Sequence, residues 1–319
     1  MATYDSQITR ADAAALIPEE VSGEILGEIE QASSFMQLAR RLPNMSRKQL
    51  RMPVLASIPQ AYFVNGDTGR KQTTSVSWDN VFVNAEELAV LVPVPNAVAD
   101  DADYDIWGEI REPIRSAIGK AVDQAVYYGI NAPAAWPECI TEAADAAGHV
   151  LTIGTNDDLY DDLLGEGGVL SFVEEDGYMV NGHVAALSMR ARMRGLRDLE
   201  GQPIFASAKQ DTASTYALDG ETLVFPRNGG IDPAQSLLIS GDWDQVVYAI
   251  RQDLTYDVFN SGVITDDVGA VVFNAMQQDS AIMRVVIRLG WAVPNPVNQI
   301  NPDADTRYPF AVLEPANAS

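Results

Sequence analysis

The sequence predicts an α+β chain: an N-terminal arm, a long β-hairpin, one long helix, a mixed α/β lobe and a returning β-rich tail. Three observations carry this. Residues 52–83 hold two runs of β-formers on either side of a Gly-rich turn. An apolar stripe at helical spacing runs from Asp105 to Gly129. Residues 281–293 form a long β-rich run that ends in Pro294-Asn295-Pro296.

Residues 1–17 read as a polar arm. Pro18-Glu19-Glu20 then has the marks of a helix start, with proline early and acids in the first turn. Val21, Ile25, Leu26 and Ile29 follow at helical spacing, which predicts a short helix over 19–31. The apolar stretch from Phe35 to Leu42 is closed by Pro43. Met52–Val64 reads as strand broken by Pro53 and Pro59, Asn65-Gly66-Asp67-Thr68-Gly69 as a turn, and Thr73–Val83 as the return strand. A two-stranded hairpin has little core of its own, so something else must cover it.

In the long helix, Ile106, Ile110, Ile114, Ile118, Val122 and Val126 share one face, and Pro113 is expected to bend it. Residues 130–254 read as a separate α/β unit. It holds a helical stretch over 157–176, a strand over 178–187, a basic helix over 190–199, and strands at 223–225, 237–239 and 245–250.

Composition narrows the function. The 319 residues are 47% hydrophobic, enough for a sizeable core and about two domains. The net charge of −24 makes nucleic acid and anionic membranes poor partners. It suits either a plain solvated surface or a container wall that encloses a polyanion without sticking to it. The single cysteine, Cys139, rules out an intrachain disulfide and suits a reducing cytoplasm. Neither a signal peptide nor a membrane-spanning run is read from the sequence.

Catalytic and cofactor motifs are missing. There is no His-Glu-x-x-His, no Cys-x-x-Cys and no phosphate loop, so no cofactor or metal is expected. A Cys139–His183 nucleophilic pair lacks local support, and a buried cysteine and a satisfied histidine are expected instead. The Gly165-Glu166-Gly167-Gly168 run lacks dinucleotide-binding spacing. The cluster Asp157, Asp158, Asp161 and Asp162 does not match a calcium loop and is expected to be a solvated helix face.

The charge is unevenly spread. No Lys or Arg occurs between Lys120 and Arg190, a segment that carries Glu138, Glu142, Glu174, Glu175 and Asp176. Arg190, Arg192, Arg194 and Arg197 follow at once. Pairing of the two regions within a subunit and between neighbours both remain open. A second basic cluster, Arg40, Arg41, Arg47, Lys48 and Arg51, lacks the interleaved aromatics of a nucleic-acid surface. It is expected to dock against a neighbour's carboxylates.

The order of elements resembles the major capsid proteins of tailed bacteriophages, which share the Johnson fold with herpesvirus capsid floor domains and encapsulins. The resemblance runs from Ile17 to Pro296. It is carried by Leu16-Ile17-Pro18-Glu19-Glu20-Val21 through Leu38-Ala39, by Ala61-Tyr62-Phe63-Val64 with Ser77-Trp78-Asp79-Asn80-Val81, and by the Asp105 to Gly129 helix. Met189…Leu196-Arg197-Asp198…Gly201-Gln202-Pro203-Ile204 adds to it, as do Gly241-Asp242-Trp243 and Gln278-Asp279…Arg288-Leu289-Gly290-Trp291.

The resemblance implies an N-arm (1–50), an extended E-loop hairpin (51–92) and a P-domain with the spine helix (93–132). An α/β A-domain (133–254) and the P-domain return strands with the C-terminal tail (255–319) complete it. It also implies a non-enzymatic subunit that assembles with itself into hexamers and pentamers of a DNA-filled icosahedral head. A portal would be a further partner, and whether a decoration protein binds stays open. No room is read for a fused scaffolding segment, so assembly is expected to use a separate scaffolding protein or none.

Arm and hairpin would lie across neighbours, with Ile58, Tyr62, Phe63, Trp78 and Phe82 as anchors, and the acidic and basic segments would meet where lobes cluster. Some relatives crosslink a lysine of the extended loop. Lys71 lies in that loop, but its partners are not identified and a plain exposed lysine is favoured. Rival readings are an encapsulin-type shell and an α/β hydrolase using two carboxylates between lobes.

Overall fold

The computed structural model describes residues 32–64, 70–71, 73–97, 106–196, 208–210, 213–265 and 268–316. The expected helix over 19–31, the Gly-rich turn at 65–69 and Arg197 lie outside them. Among the described residues, α1 (Ser34–Leu38) is followed by β1 (Arg40–Arg41), β2 (Gln49–Ser57), β3 (Ser77–Asn84) and β4 (Glu86–Pro95). The spine is α2 (Ile106–Tyr128). The α/β lobe contains α3 (Ile140–Ala147), β5 (Val150–Thr152), α4 (Leu159–Leu164), α5 (Val169–Glu175), β6 (Gly182–Ala185) and α6 (Met189–Gly195). It continues through β7 (Ala208–Gln210), β8 (Ala213–Leu218), β9 (Glu221–Val224) and β10 (Leu238–Gly241). Then come β11 (Val247–Phe259), β12 (Val263–Thr265), β13 (Val271–Asn274), β14 (Ser280–Ala292) and β15 (Phe310–Glu314).

A four-stranded sheet in the order β1-β11-β14-β4 forms one body, and a seven-stranded sheet in the order β5-β15-β10-β6-β9-β8-β7 forms the other. The spine helix lies on both. Ile114, Ile118, Val122 and Val126 bury the stripe seen in the sequence, and they share one core with Met283, Val285, Ile287, Leu289 and Trp291 of β14. Val184, Ile239, Phe310 and Val312 of the larger sheet belong to that core too. Their neighbours Ala185, Leu238, Ala311 and Leu313 face a second core with α4, α5 and α6. This two-residue alternation is what a sheet covered on both faces requires. Gly129, at φ +68°, follows the spine helix at a backbone angle that side chains disfavour.

The long strands confirm the β-rich run in the tail and extend it. β14 pairs antiparallel with β11 on one side and with β4 on the other, the latter through ten residues from Ser280↔Pro95 to Leu289↔Glu86. Leu88–Val94 therefore belongs to this sheet, and the two-stranded hairpin of β2 and β3 ends at Asn84. β4 is an edge strand, which is why it tolerates Pro93 and Pro95.

Several sequence expectations need correction. The first hairpin strand stops at Ser57, not Val64, since Pro59 has no N–H to give a ladder. The helix expected over 157–176 is split at Gly165–Gly168. A Cβ on Gly165 would lie 2.8 Å from the Asp161 carbonyl oxygen, and Gly167 sits at φ +78°. The stretch 245–250 opens as a short 3₁₀ turn (Trp243–Gln245), and the strand that follows runs on to Phe259. The tail does not stay with the returning sheet. Its strand β15 inserts between β5 and β10 of the α/β lobe. Helix α3, the β12–β13 hairpin and strands β5, β7 and β15 were not read from the sequence.

Gly290 is the point where the hairpin root meets the long sheet: a Cβ there would overlap the Asn84 carbonyl and press on Val83 Cγ1. Gly290→Ala is expected to cost about 1–3 kcal/mol through overpacking. The urea midpoint of the unassembled subunit checks this, and an unchanged midpoint would show that the root can relax.

Candidate assembly surfaces

The hairpin exposes what the sequence nominated. Phe63 is fully exposed, Trp78 is 67% exposed, and Tyr62 and Phe82 are exposed as well, while Ile58 is half-buried. Only the hairpin root is covered: Leu50, Met52, Val81 and Val83 pack with Met45, Val247, Ala249 and Ala292. Beyond it, β2 and β3 form a separate two-stranded sheet, tied to the tail by a bond from Val297 N to the Leu55 carbonyl (3.1 Å). A second apolar surface, missed in the sequence, lies around β12–β13, where Val263, Val271, Val272 and Met276 are more than half exposed.

The basic cluster at the hairpin root is also exposed. Arg40 and Arg41 form β1, which pairs parallel with Val247 and Tyr248, and Arg41 reaches Asn44. Lys48 pairs with Glu86 at 2.9 Å, while Arg47 and Arg51 are exposed. Lys71 is exposed, and no glutamate is buried among the described residues to assist a crosslink. On α6, Arg192 and Arg194 are exposed. Arg190 is half-buried, with its guanidinium 4.6 Å from the Tyr216 ring centre.

The residue that organises the arm root is Asp123, a fully buried carboxylate on the spine helix. Its Oδ1 accepts from Ser33 Oγ (2.6 Å) and Phe35 N (3.1 Å). Its Oδ2 accepts from Ser34 N (3.1 Å), Ser34 Oγ (3.0 Å) and Asn228 Nδ2 (2.8 Å). Ser33 also caps α1 by accepting from Met36 N. Burial pushes the Asp123 carboxyl up, and the bonds from Asn228, Ser33, Phe35 and Ser34 oppose that push. Asn228 reaches Ala32 O as well, so one loop residue ties arm to helix. In the sequence Asp123 stands off the apolar stripe and gives no sign of its burial.

Asp176 leaves the acidic surface segment. It is buried, accepts from Tyr308 N (2.7 Å) and Asn301 Nδ2 (2.7 Å), and lies 3.2 Å from His149 Nε2. Asp162 is also buried and accepts from Gly154 N and Asn156 N, while Asp158 caps α4. The four-aspartate stretch is thus loop-closing and capping chemistry rather than one solvated face. Among the described residues no cluster of metal-ligating side chains occurs.

Cys139 is buried beside Thr141. His183 is buried elsewhere, its Nδ1 2.8 Å from Ser240 Oγ. Burial lowers His183 to about 4 from an ordinary 6.5, against the raising influence of the Leu218 backbone and Asp219. No helix of the described residues is long and apolar enough to cross a membrane.

Helix-on-sheet bodies sharing a spine, with an extended hairpin and a tail strand returned into the lobe, define an α+β fold of the Johnson type. The family model described as "Phage capsid family" matches residues 13–298. The chain belongs to that family. A solved structure from Microbacterium phage Oxtober96 superposes with a TM-score of 0.76 at 31% identity, covering 97% of this chain and all of that one. One from Mycobacterium phage Cain gives 0.75 at 28% identity, covering 98% of this chain and all of that one. The major capsid protein of Staphylococcus phage 80alpha is 23% identical, over 85% of this chain and 79% of that protein. That of Klebsiella oxytoca phage phiKO2 is 24% identical over 85% of this chain, which spans 63% of that protein's length.

Asp123→Ala strands the Ser34 and Phe35 amides in the interior and is expected to cost about 3–5 kcal/mol. A urea titration of the unassembled subunit measures it, and a loss below 1 kcal/mol would remove Asp123 as the anchor. His183 gives a pH effect of defined sign. Its folded value lies below its unfolded one, so its stability contribution is present above about pH 6.5. It is lost as pH falls toward about 4. The loss is about 3 kcal/mol, and His183→Gln should flatten that part of the stability–pH curve.

Proposed function

We propose that this chain is the major capsid subunit of a tailed bacteriophage. Copies assemble into hexamers and pentamers of an icosahedral shell around double-stranded DNA, without sequence-specific DNA contact and without catalysis. The observation that carries the reading is the hairpin. Its nine-residue strand spans roughly 30 Å, and its tip and flanks hold exposed Phe63, Tyr62, Trp78 and Phe82 with no core of their own. A soluble chain gains nothing from such an element alone, since a lone hairpin is marginal. Laid across a neighbour, the same aromatics become interface anchors.

The division into arm (1–50), E-loop (51–92), spine region (93–132), α/β lobe (133–254) and return segment with tail (255–319) follows the same reading, except that β4 (Glu86–Pro95) belongs to the long sheet and β15 (Phe310–Glu314) to the lobe. So do assembly in the host cytoplasm, a scaffolding protein and a portal, with a decoration protein left open. The net charge of −24 supports a wall that repels the polyanion it encloses. The exposed Arg47 and Arg51 then serve contacts between copies, where arginine's planar fork of donors suits carboxylates.

Phe63→Ser and Trp78→Ser separate assembly from folding. Both residues are exposed, so subunit stability should stay within about 0.5 kcal/mol of the parent. Particle yield in negative-stain microscopy should collapse. Particles at full yield from the double variant would remove the bridging role of the hairpin.

A further inference from the structure

The α/β lobe separates its charges onto opposite flanks of its sheet. β5 forms one edge with β15 beside it, and both α3 and α5 pack on β15. Exposed Glu142 and Asp145 of α3, exposed Glu174 and Glu175 of α5, and half-buried Glu314 of β15 lie on this flank. Burial and the nearby charge of Asp145 push the Glu314 carboxyl up. No Lys or Arg from residue 121 to 189 relieves these acids. Arg307, the cation of the adjoining tail, is buried and spends its guanidinium on Asn295 and Asn301.

The cations occupy the far flank. Arg190 stacks on Tyr216 of β8 and hydrogen-bonds its hydroxyl, while its Nε is buried without an acceptor. Arg190 and exposed Arg227 line adjoining hollows of about 250 and 370 Å³ that share Gln37, Val224, Phe225 and Arg227. No carboxylate lines either hollow. Asp219 and Glu221 lie at the β8–β9 turn outside them. Arg192 and Arg194 are exposed on α6.

Distance decides between pairing within the chain and pairing between copies. Four strand spacings separate β15, which carries Glu314 and supports α3 and α5, from β8, which carries Tyr216, and this places the flanks roughly 19 Å apart. Charges in water are screened over about 8 Å at physiological salt. The acids of one flank cannot neutralise the arginines of the other in the same subunit. The ion pairs Lys48–Glu86, Arg284–Asp257 and Arg288–Glu87 all lie away from this lobe.

We propose that the lobe associates head to tail, the Arg190–Arg227 groove of one copy receiving the β5-flank carboxylates of a second copy. The inference rests on the shell-subunit reading and adds to it the side chains that make the contact between neighbouring lobes. Complementary patches on opposite flanks make a heterologous contact, which closes into a ring rather than a two-fold dimer. The arginine forks give each contact paired donors for a carboxylate, and rim charges set encounter and register.

Charge reversal tests this on the full chain. R192E/R194E/R227E carries acid on both flanks, and E142K/D145K/E174K/E175K carries base on both. Each alone should raise the concentration needed for capsomer formation by roughly tenfold or more. An equimolar mixture should restore even-membered rings, seen by native mass spectrometry. Full assembly by either variant alone, or no rescue on mixing while the wild type assembles, overturns the inference and leaves the shell reading standing. A wild type that never forms particles removes both. Should a reversed chain lose its circular dichroism spectrum, R192Q/R194Q/R227Q takes its place. Wild-type assembly should then weaken with added salt and the neutral variant should not. Equal salt responses overturn the inference.

Discussion

The structure depends on one buried carboxylate. Asp123 has no exposure and collects five hydrogen bonds, three of them from the two residues that open α1. A buried carboxylate is tolerable only when its donors are fixed, so the constraint runs both ways. The spine helix holds the arm root, and the arm root completes the spine. Phe35 is thereby set edge-on to Trp291 and beside Tyr248, which joins the root to both long strands. Gly230 has to be glycine for the same reason, since a Cβ there would lie 2.6 Å from Asp123 Cβ.

From that joint the chain reaches outward in two different ways. The long strands β11 and β14 pair along their length and bury apolar side chains on both faces. The hairpin β2–β3 repeats the strand geometry without the burial. The contrast is between an element stabilised within the subunit and one whose aromatics are left to water. The interior polar network of Asp176, His149, Asn301 and Tyr308 plays the first part at the tail, where it holds the chain on its way to β15.

Much of this was legible in the residues. The Ile114-Ile118-Val122-Val126 stripe, the alternating hairpin and the β14 run have strong periods, and each appears where the period put it. Boundaries failed where single residues overruled the pattern: Pro59 cut a strand short and the 165–168 glycines cut a helix in two. Strand β15 was missed although Phe310-Ala311-Val312-Leu313 is a short apolar run bounded by prolines. A run of that length does not announce its sheet, because its partners lie far away in sequence. Asp123 and Asp176 look like any helix acid until the fold supplies their donors. The exposed aromatics could be named in advance only because an aromatic-rich hairpin is odd in itself.

The placement of β15 has a consequence for how the lobe is held together. The larger sheet has a gap between β5 and β10 that only residues 310–314 fill, joining β5 in parallel and β10 antiparallel. Until those residues are in place, that gap stays open and β5 has no strand to pair with. A subunit in which residues 310–314 are out of place therefore loses the strand that joins the two parts of this sheet.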